Sequence, residues 1–363
     1  MRGINDSQSG LFSYLSCDQR VPSDHPLRSI KAYADEVLAG MSGVFDAMYS
    51  TLGRPSLPPE RLLKGQLLIA LYSVRSDRLF CEMLDYNILF RWFLDMNLEE
   101  ASFDATTFTK NRDRLLEHEV AAKFFDAVVA KARALKLLSD EHFTVDGTLI
   151  EAWAGMKSFK SKKRAPCSSA PPDDPGNPTI DFHGEHRSNQ THQSTTDKEA
   201  RLMRKGLGKE AKLVLSGHAL MENRHGLCVD LRVEEATGTV EREAAMKMVL
   251  QQRKKGALVK TLGGDKGYHT KDFIAQLRSE EIAPHIARIR GRKTPGLDDR
   301  TTRHEGYRIS QKIRKRVEEI FGWMKTVGGL RKTRFIGIAR TQQYAHLTAA
   351  AYNLLRLSRL KPT

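Results

Sequence analysis

Apolar residues recur at helical spacing along the first third of the chain. Over residues 28–49, Ile30, Tyr33, Val37, Leu38, Met41, Phe45 and Met48 fall on one broad face, which predicts a helix. The stretch SLPPERLLKGQLLIALYSV (56–74) has Ser56 in the place of a cap and prolines in the entry turn, the start signal of another helix. Shorter helices are predicted over 76–86, 87–94, 105–117 and 120–137. Residues 1–55 then form a helical extension, and 56–138 an all-helical block with short connections. Such a block suits helix-turn-helix DNA binding, and it equally suits a bundle that only packs or dimerises; the first reading is adopted here.

The period changes at His142. FTVDGTLIEAWAG alternates like a strand. Residues 157–207 are rich in Lys, Ser, Pro, Gly, His and Thr around SSAPPDDPGNP, which predicts a flexible insertion or a functional loop. In 211–236 two β-type runs flank Asn223-Arg224-His225-Gly226, a hairpin turn. A helix over 241–253, a buried strand over 257–265, a helix over 271–279 and a strand over 285–289 follow. Helices over 310–327 and 341–360 close the chain. Strands alternating with helices predict an α/β domain over 139–363, a mixed sheet covered by helices.

Composition adds a partner. Hydrophobic residues make up 40 % of the 363, enough to bury a sizeable core, and the formal charge of +15 points to a polyanion, most simply nucleic acid. The excess is local: residues 284–363 hold 19 Lys/Arg against 5 Asp/Glu, while the remaining 40 and 39 almost cancel. A solubility charge would be spread more evenly, so the C-terminal quarter reads as a docking surface for phosphates. Cys17, Cys81, Cys167 and Cys228 are far apart and form no CxxC pair, which argues against a disulfide framework or a zinc site. With no apolar signal region and no run of 18 apolar residues, a cytoplasmic, nucleoid-associated protein with no membrane contact is expected.

Candidate chemistry rests on acidic residues at the ends of apolar strands. Asp146 follows Phe143–Val145 and precedes Gly147; Asp265 ends LVKTLGG and precedes Lys266-Gly267-Tyr268. An unpaired charge is costly in such places. Cutting a phosphodiester with divalent ions needs carboxylates that converge, so that two ions about 3.5–4 Å apart activate the attacking oxygen and stabilise the leaving one. Taken singly, Asp146 could close a turn, Asp265 could cap a helix, and Glu318 could be a surface ion-pair partner.

Together, Asp146-Gly147, Asp265-Lys266-Gly267-Tyr268 and Arg314-x3-Glu318-x6-Lys325 resemble the three motif blocks of insertion-sequence DDE transposases. The helix block matches the signature Tyr-x2-Arg-x3-Glu-x6-Lys from its Arg onward, with Gln311 in the place of the Tyr. RKRVEEIFGWMK, GGLRKTRF, HRSNQTHQSTTDKEARL and GRPSLPPERLLKGQLLIALYSVRSDRLFCEML also resemble the insertion-sequence-five branch, and the likeness runs over roughly 50–358. The resemblance implies a ribonuclease-H-like catalytic domain in which Asp146, Asp265 and Glu318 are catalytic and bind Mg²⁺ or Mn²⁺, two ions in all. Glu319, the competitor for the third place, fails the spacing, and at 3.6 residues per turn it points about 100° away from a face shared by 314, 318 and 325. Arg314 and Lys325 would hold terminal phosphates, with the alternative that they only keep Glu318 in place. Lys312 and Arg316, on the same helix, join them as DNA contacts. Lys162, Lys163 and Arg164, in KSFKSKKR, read as a DNA-tracking arm or a solvated loop. The implied function is binding of terminal inverted repeats, then metal-dependent cleavage and strand transfer into target DNA by a homodimer or higher oligomer.

Other features rank lower. His183, His186 and His192 lack a tetrahedral ligand pattern and read as loop histidines. Trp153 and Trp323 read as core residues ahead of base-stacking ones, and Gly263-Gly264 is no phosphate loop. The rival functions are a nuclease of the same fold, a catalytically inactive DNA-binding regulator or decayed transposase, and a basic chromosome protein. The last leaves the acidic triad without purpose.

Overall fold

The structure, a computed structural model, describes residues 15–49, 56–162, 180–182, 185–206 and 208–360. Eight helices come first: α1 (Cys17–Arg20), α2 (Leu27–Ala39), α3 (Ser42–Asp46), α4 (Pro59–Leu71), α5 (Asp77–Tyr86), α6 (Ile88–Phe93), α7 (Ala105–Glu117) and α8 (Val120–Ala134). The starts of α5, α6 and α7 follow from side-chain caps: Ser76, Asn87 and Asp104 each accept the N–H three residues on. Ser56 does not cap α4. Its hydroxyl donates to Asn111 instead, and α4 starts on Pro59, whose missing N–H costs nothing at the first helical position. The single helix expected over 28–49 is two, divided at Gly40, where backbone freedom disfavours continuation.

The rest of the chain carries β1 (His142–Glu151), β2 (Phe159–Ser161), β3 (Ile180–Phe182), β4 (Glu185–Arg187), β5 (His192–Ser194), β6 (Arg201–Arg204), β7 (Ala211–Glu222) and β8 (Cys228–Glu235). There follow α9 (Val240–Lys254), β9 (Thr261–Gly264), α10 (Lys271–Ser279), β10 (Ala283–Ile286), α11 (Asp299–Thr302), α12 (Glu305–Ile313), α13 (Val317–Thr326) and α14 (Ile338–Leu357). The main sheet runs β10-β9-β1-β7, with β9 and β10 parallel to β1 and β7 antiparallel to it. β8 pairs antiparallel with β7, and Val214 of β7 is partnered by both Glu151 of β1 and Arg201 of β6, so β6 lies on the edge away from β1. A hairpin followed by parallel strands on the other side of β1 is the mixed, ribonuclease-H-like sheet that the sequence order predicts.

One buried apolar cluster runs from Val21 to Leu357, through the helical block, the sheet and α14. α14 is buried on nearly all sides, packed against α4 and α8 and against β8, so the helical block and the sheet share a core. Its polar side chains cover the outer edge of β8. Asn353 accepts from Cys228 N (2.9 Å) and donates to Cys228 O (2.8 Å), and Gln342 Nε2 donates to Leu231 O (2.9 Å). An edge strand left bare would be a template for mispairing.

The insertion is more ordered than its composition suggests. β2 pairs with β5, β3 with β4, and β6 joins the main sheet. A second, small core of Ala152, Ala154, Phe159, Ala200, Leu202, Ala211 and Leu213 holds β2 and β6. Helix α11 and the part of α12 before Ser310 lie outside the predicted elements.

Glu222 ties the β7–β8 turn together. It is 1 % exposed, and its carboxylate accepts from Arg224 N (2.8 Å), from His225 N, and from Ser139 N (3.3 Å) across the connection to the helical block. Glu222→Ala strips several buried N–H groups of their acceptor at once. It is expected to lower stability by about 2–4 kcal/mol, read as a fall in the urea midpoint with an unchanged slope.

Candidate active site

β1 places the first carboxylate. The parallel partner β9 pairs with β1 only over His142–Thr144, while β7 continues beside it as far as Glu151. Asp146 therefore lies in mid-strand, not at the strand end that its sequence position suggests, and it falls just past the point where β9 stops. Its Oδ1 accepts the N–H of Gly147 (2.8 Å). Asp265 leaves β9 at the same level and caps the 3₁₀ turn Lys266–Tyr268, with Oδ1 accepting the N–H of Gly267 (2.7 Å). Gly264 allows this tight exit, because a Cβ there would stand 2.9 Å from Ile286 Cδ1 and 3.3 Å from the Tyr268 ring.

The third carboxylate comes from the C-terminal helices. The expected helix over 310–327 is interrupted: α12 passes into a 3₁₀ turn at Arg314–Arg316 before α13 begins. Within that turn Arg316 donates to the carbonyls of Asn223 (3.1 Å) and Arg224 (2.9 Å), which draws the backbone toward the β7–β8 turn. Glu318, in the first turn of α13, lines the cleft with Asp146 and Lys325. Its neighbour Glu319 turns away and pairs with Arg356 (3.1 Å). Arg314 stands beside β9, its Cβ 3.8 Å from where a Gly263 Cβ would be, and its Nε donates to Gln311 Oε1 (3.1 Å). Gln311 in turn donates to His285 O (2.6 Å), so it links the helix to β10 and orients Arg314.

The cleft holds about 520 Å³ and has an acidic floor and a basic wall. Burial pushes the Asp146 carboxyl up to about 6, and the neighbouring Asp265, Glu241 and Glu318 add to the push against the Gly147 N–H. Glu241 is raised by burial and by Asp265. On the wall, Lys325 is lowered by burial and by Lys205 and Arg331. Glu241, on the first turn of α9, was not singled out from the sequence. Acidic residues are common at helix starts, and only the fold brings this one beside Asp146.

Among the described residues, no group of three or more His, Cys, Asp or Glu side chains is drawn together closely enough to hold a metal ion. Asp146, Glu241 and Glu318 line the cleft, and Asp265 stands close enough to raise both Asp146 and Glu241. Oxygen donors placed where burial and neighbouring charge raise Asp146 and Glu241 are the chemistry that a hard divalent cation relieves, so the donor set fits such an ion.

The other predicted contacts are placed unevenly. Lys312 is exposed at the end of α12. Arg316 has Nη1 engaged by the β7–β8 turn, and Lys162 donates to Asn189 O (2.7 Å). Lys163, Arg164 and His183 lie outside the described residues. His192 sits buried in β5 beside the Phe159 ring, not in a loop. Trp323 packs edge-on to Tyr352, as a core residue would. Trp153, read as core, is 54 % exposed at the end of β1 with Lys332 Nζ over its ring.

Comparison with known proteins places this geometry. A model described as Transposase domain (DUF772) matches residues 15–114, and one described as Transposase DDE domain matches residues 184–354. Glu241, Asp265 and Glu318 fall inside the second match, and Asp146 lies between the two. No curated protein matches the chain. A solved structure similar to it is the piggyBac transposase synaptic complex with hairpin DNA, at 11 % identity over 93 % of this chain and 77 % of that one, with a TM-score of 0.41.

The raised carboxyl of Asp146 has a consequence for stability. The folded chain keeps this proton up to about pH 6, whereas an unfolded chain gives it up near 3.8. The stability it contributes is complete below 3.8 and lost as pH rises through 6. In chelator at pH 7.5, Asp146→Asn is therefore expected to be more stable than the native chain, by up to about 3 kcal/mol. The advantage disappears near pH 4. Urea unfolding of both chains at the two pH values checks it.

Proposed function

The chain belongs to the DDE transposases of insertion sequences, and on that premise we propose that it binds the terminal inverted repeats of its element, cleaves there and joins the freed 3′ ends to target DNA. DDE transposases are divalent-metal-dependent enzymes of DNA cleavage and transfer. The observation that carries the finer reading is the meeting of Asp146 and Glu318 with Lys325 at one cleft, with Asp265 beside it. The motif stretches favour the insertion-sequence-five branch.

In this reading Asp146, Asp265 and Glu318 hold two Mg²⁺ or Mn²⁺ ions, which when bound supply Lewis-acid stabilisation to the phosphoryl group. The basic wall of Lys325, Lys205 and Arg331 takes the phosphates of the transposon end as charges and donors. Gln311 sets the direction of the Arg314 guanidinium toward the same backbone, taking over an anchoring role at the position of the signature Tyr. The exposed Trp153 offers a face on which a displaced base can stack. The helical block contributes recognition of the end. Handling two ends together calls for a homodimer or higher assembly.

The inactive-regulator reading needs the triad to be vestigial, and against it stands the gathering of charge from three separate elements, with Asp265 and Glu318 both acting on the Asp146 carboxyl. The test is cleavage and joining on DNA carrying the element's own ends. Native chain with Mg²⁺ is expected to give 3′-end nicks and joined products, and Asp265→Ala to lose both while still binding ends. End binding with no cut by native chain in Mg²⁺ or Mn²⁺ would favour the regulator. Glu318→Gln is expected to abolish cleavage and Glu319→Gln to leave it within about threefold, the Arg356 pair being exposed and weak. Lys325→Ala is expected to flatten the slope of log affinity against log salt by about one.

A further inference from the structure

We propose that Glu241 is a fourth carboxylate of the cation site, spanning Asp146 and Asp265, with the buried His218 as the residue that positions it. The proposal rests on the reading of Asp146, Asp265 and Glu318 as cation ligands. Each aspartate is followed closely by a glycine, and the two glycines face the same side chain. A Cβ on Gly147 would lie 3.0 Å from Glu241 Oε1; a Cβ on Gly267 would lie 3.7 Å from Glu241 Oε2 and 3.0 Å from Asp265 Oδ1. One carboxylate thus presents an oxygen to each of the two loci, and both loci lack the side chain that would displace it.

A helix start alone would account for an acidic residue here. It does not account for His218. This residue sits directly opposite Gly147 in the β1–β7 register, is 0 % exposed, and neither ring nitrogen has a hydrogen-bond partner among the described residues. Its Nδ1 lies 3.2 Å from the same Gly147 Cβ position that Glu241 Oε1 approaches. The Tyr268 hydroxyl, from the turn that follows Asp265, is likewise buried and unpartnered. Buried polar groups left unsatisfied are rare and call for a ligand or a role. With Glu241 and Asp265 as ligands, His218 Nδ1–H would be the donor placed to steady the Glu241 carboxylate, since both approach the same Gly147 position. That arrangement follows the usual support of metal-binding carboxylates by an outer hydrogen bond.

The ligand is a hard divalent cation, and Mn²⁺ is the probe. Its binding to the full chain is followed by electron paramagnetic resonance of the free ion and by the rise in melting temperature that it produces. Glu241→Gln is expected to weaken Mn²⁺ binding by roughly tenfold or more, and to reduce the melting-temperature rise. Glu241→Asp keeps a charge at the helix start but shortens its reach, and it is expected to lose as much. His218→Phe, which fills the same space without a donor, is expected to fall between native and Glu241→Gln. Native-like Mn²⁺ binding by both Glu241 variants, with binding lost in Asp265→Asn, would overturn the fourth ligand and leave the triad standing. Native-like binding by Asp265→Asn would overturn the triad and this proposal with it.

Discussion

Like charges brought together out of water set the terms for this fold. Asp146, Glu241 and Glu318 line one cleft with Asp265 beside it, and the other three make the ionised form of Asp146 harder to hold. The repulsion is affordable only because each carboxylate is pinned by structure that has nothing to gain from moving. Asp146 is in a strand paired along its whole length by β7. Asp265 is locked into its own 3₁₀ turn. Glu318 stands on a helix anchored at both ends.

That helix shows how much of the molecule is committed to the cleft. Arg316 reaches down to the β7–β8 turn just ahead of α13, and Arg356 of α14 holds Glu319 on α13 and the His225 carbonyl in the same turn. Glu222 closes that turn from below and ties it to Ser139, at the junction with the helical block. α14 then joins helical block to sheet through a common core. The hairpin turn is therefore the point where the helix bearing Glu318, the sheet and the N-terminal helices meet. Substitutions there should act on the cleft at a distance.

Much of this was legible in the sequence. Ser76, Asn87 and Asp104 mark helix starts by a local mechanism, and the Asp-Gly and Asp-Lys-Gly steps mark the two strand-borne carboxylates. Spacing separates Glu318 from Glu319, and in the structure Glu318 lines the cleft while Glu319 pairs with Arg356. What was not legible depends on contacts far apart in the chain. Glu241 looks like any acidic residue at a helix start until β1 is laid beside it. The described part of the insertion is held by a small core built mostly of alanines, which give no periodic signal. The 3₁₀ turn at Arg314–Arg316 answers to carbonyls about 90 residues away. Trp153, apolar by type, is left exposed while its neighbours Ala152 and Ala154 turn into the second core.

The central claim is that the convergent carboxylates form a divalent-cation site, and the anomalous diffraction of Mn²⁺ in crystals of the full chain tests it most directly. The account predicts anomalous peaks in the cleft within ligand distance of Asp146, Asp265 and Glu318, with the carboxylates drawn closer than in the metal-free chain. Well-diffracting crystals at saturating Mn²⁺ and neutral pH, with no peak in the cleft and the carboxylates still apart, would contradict it.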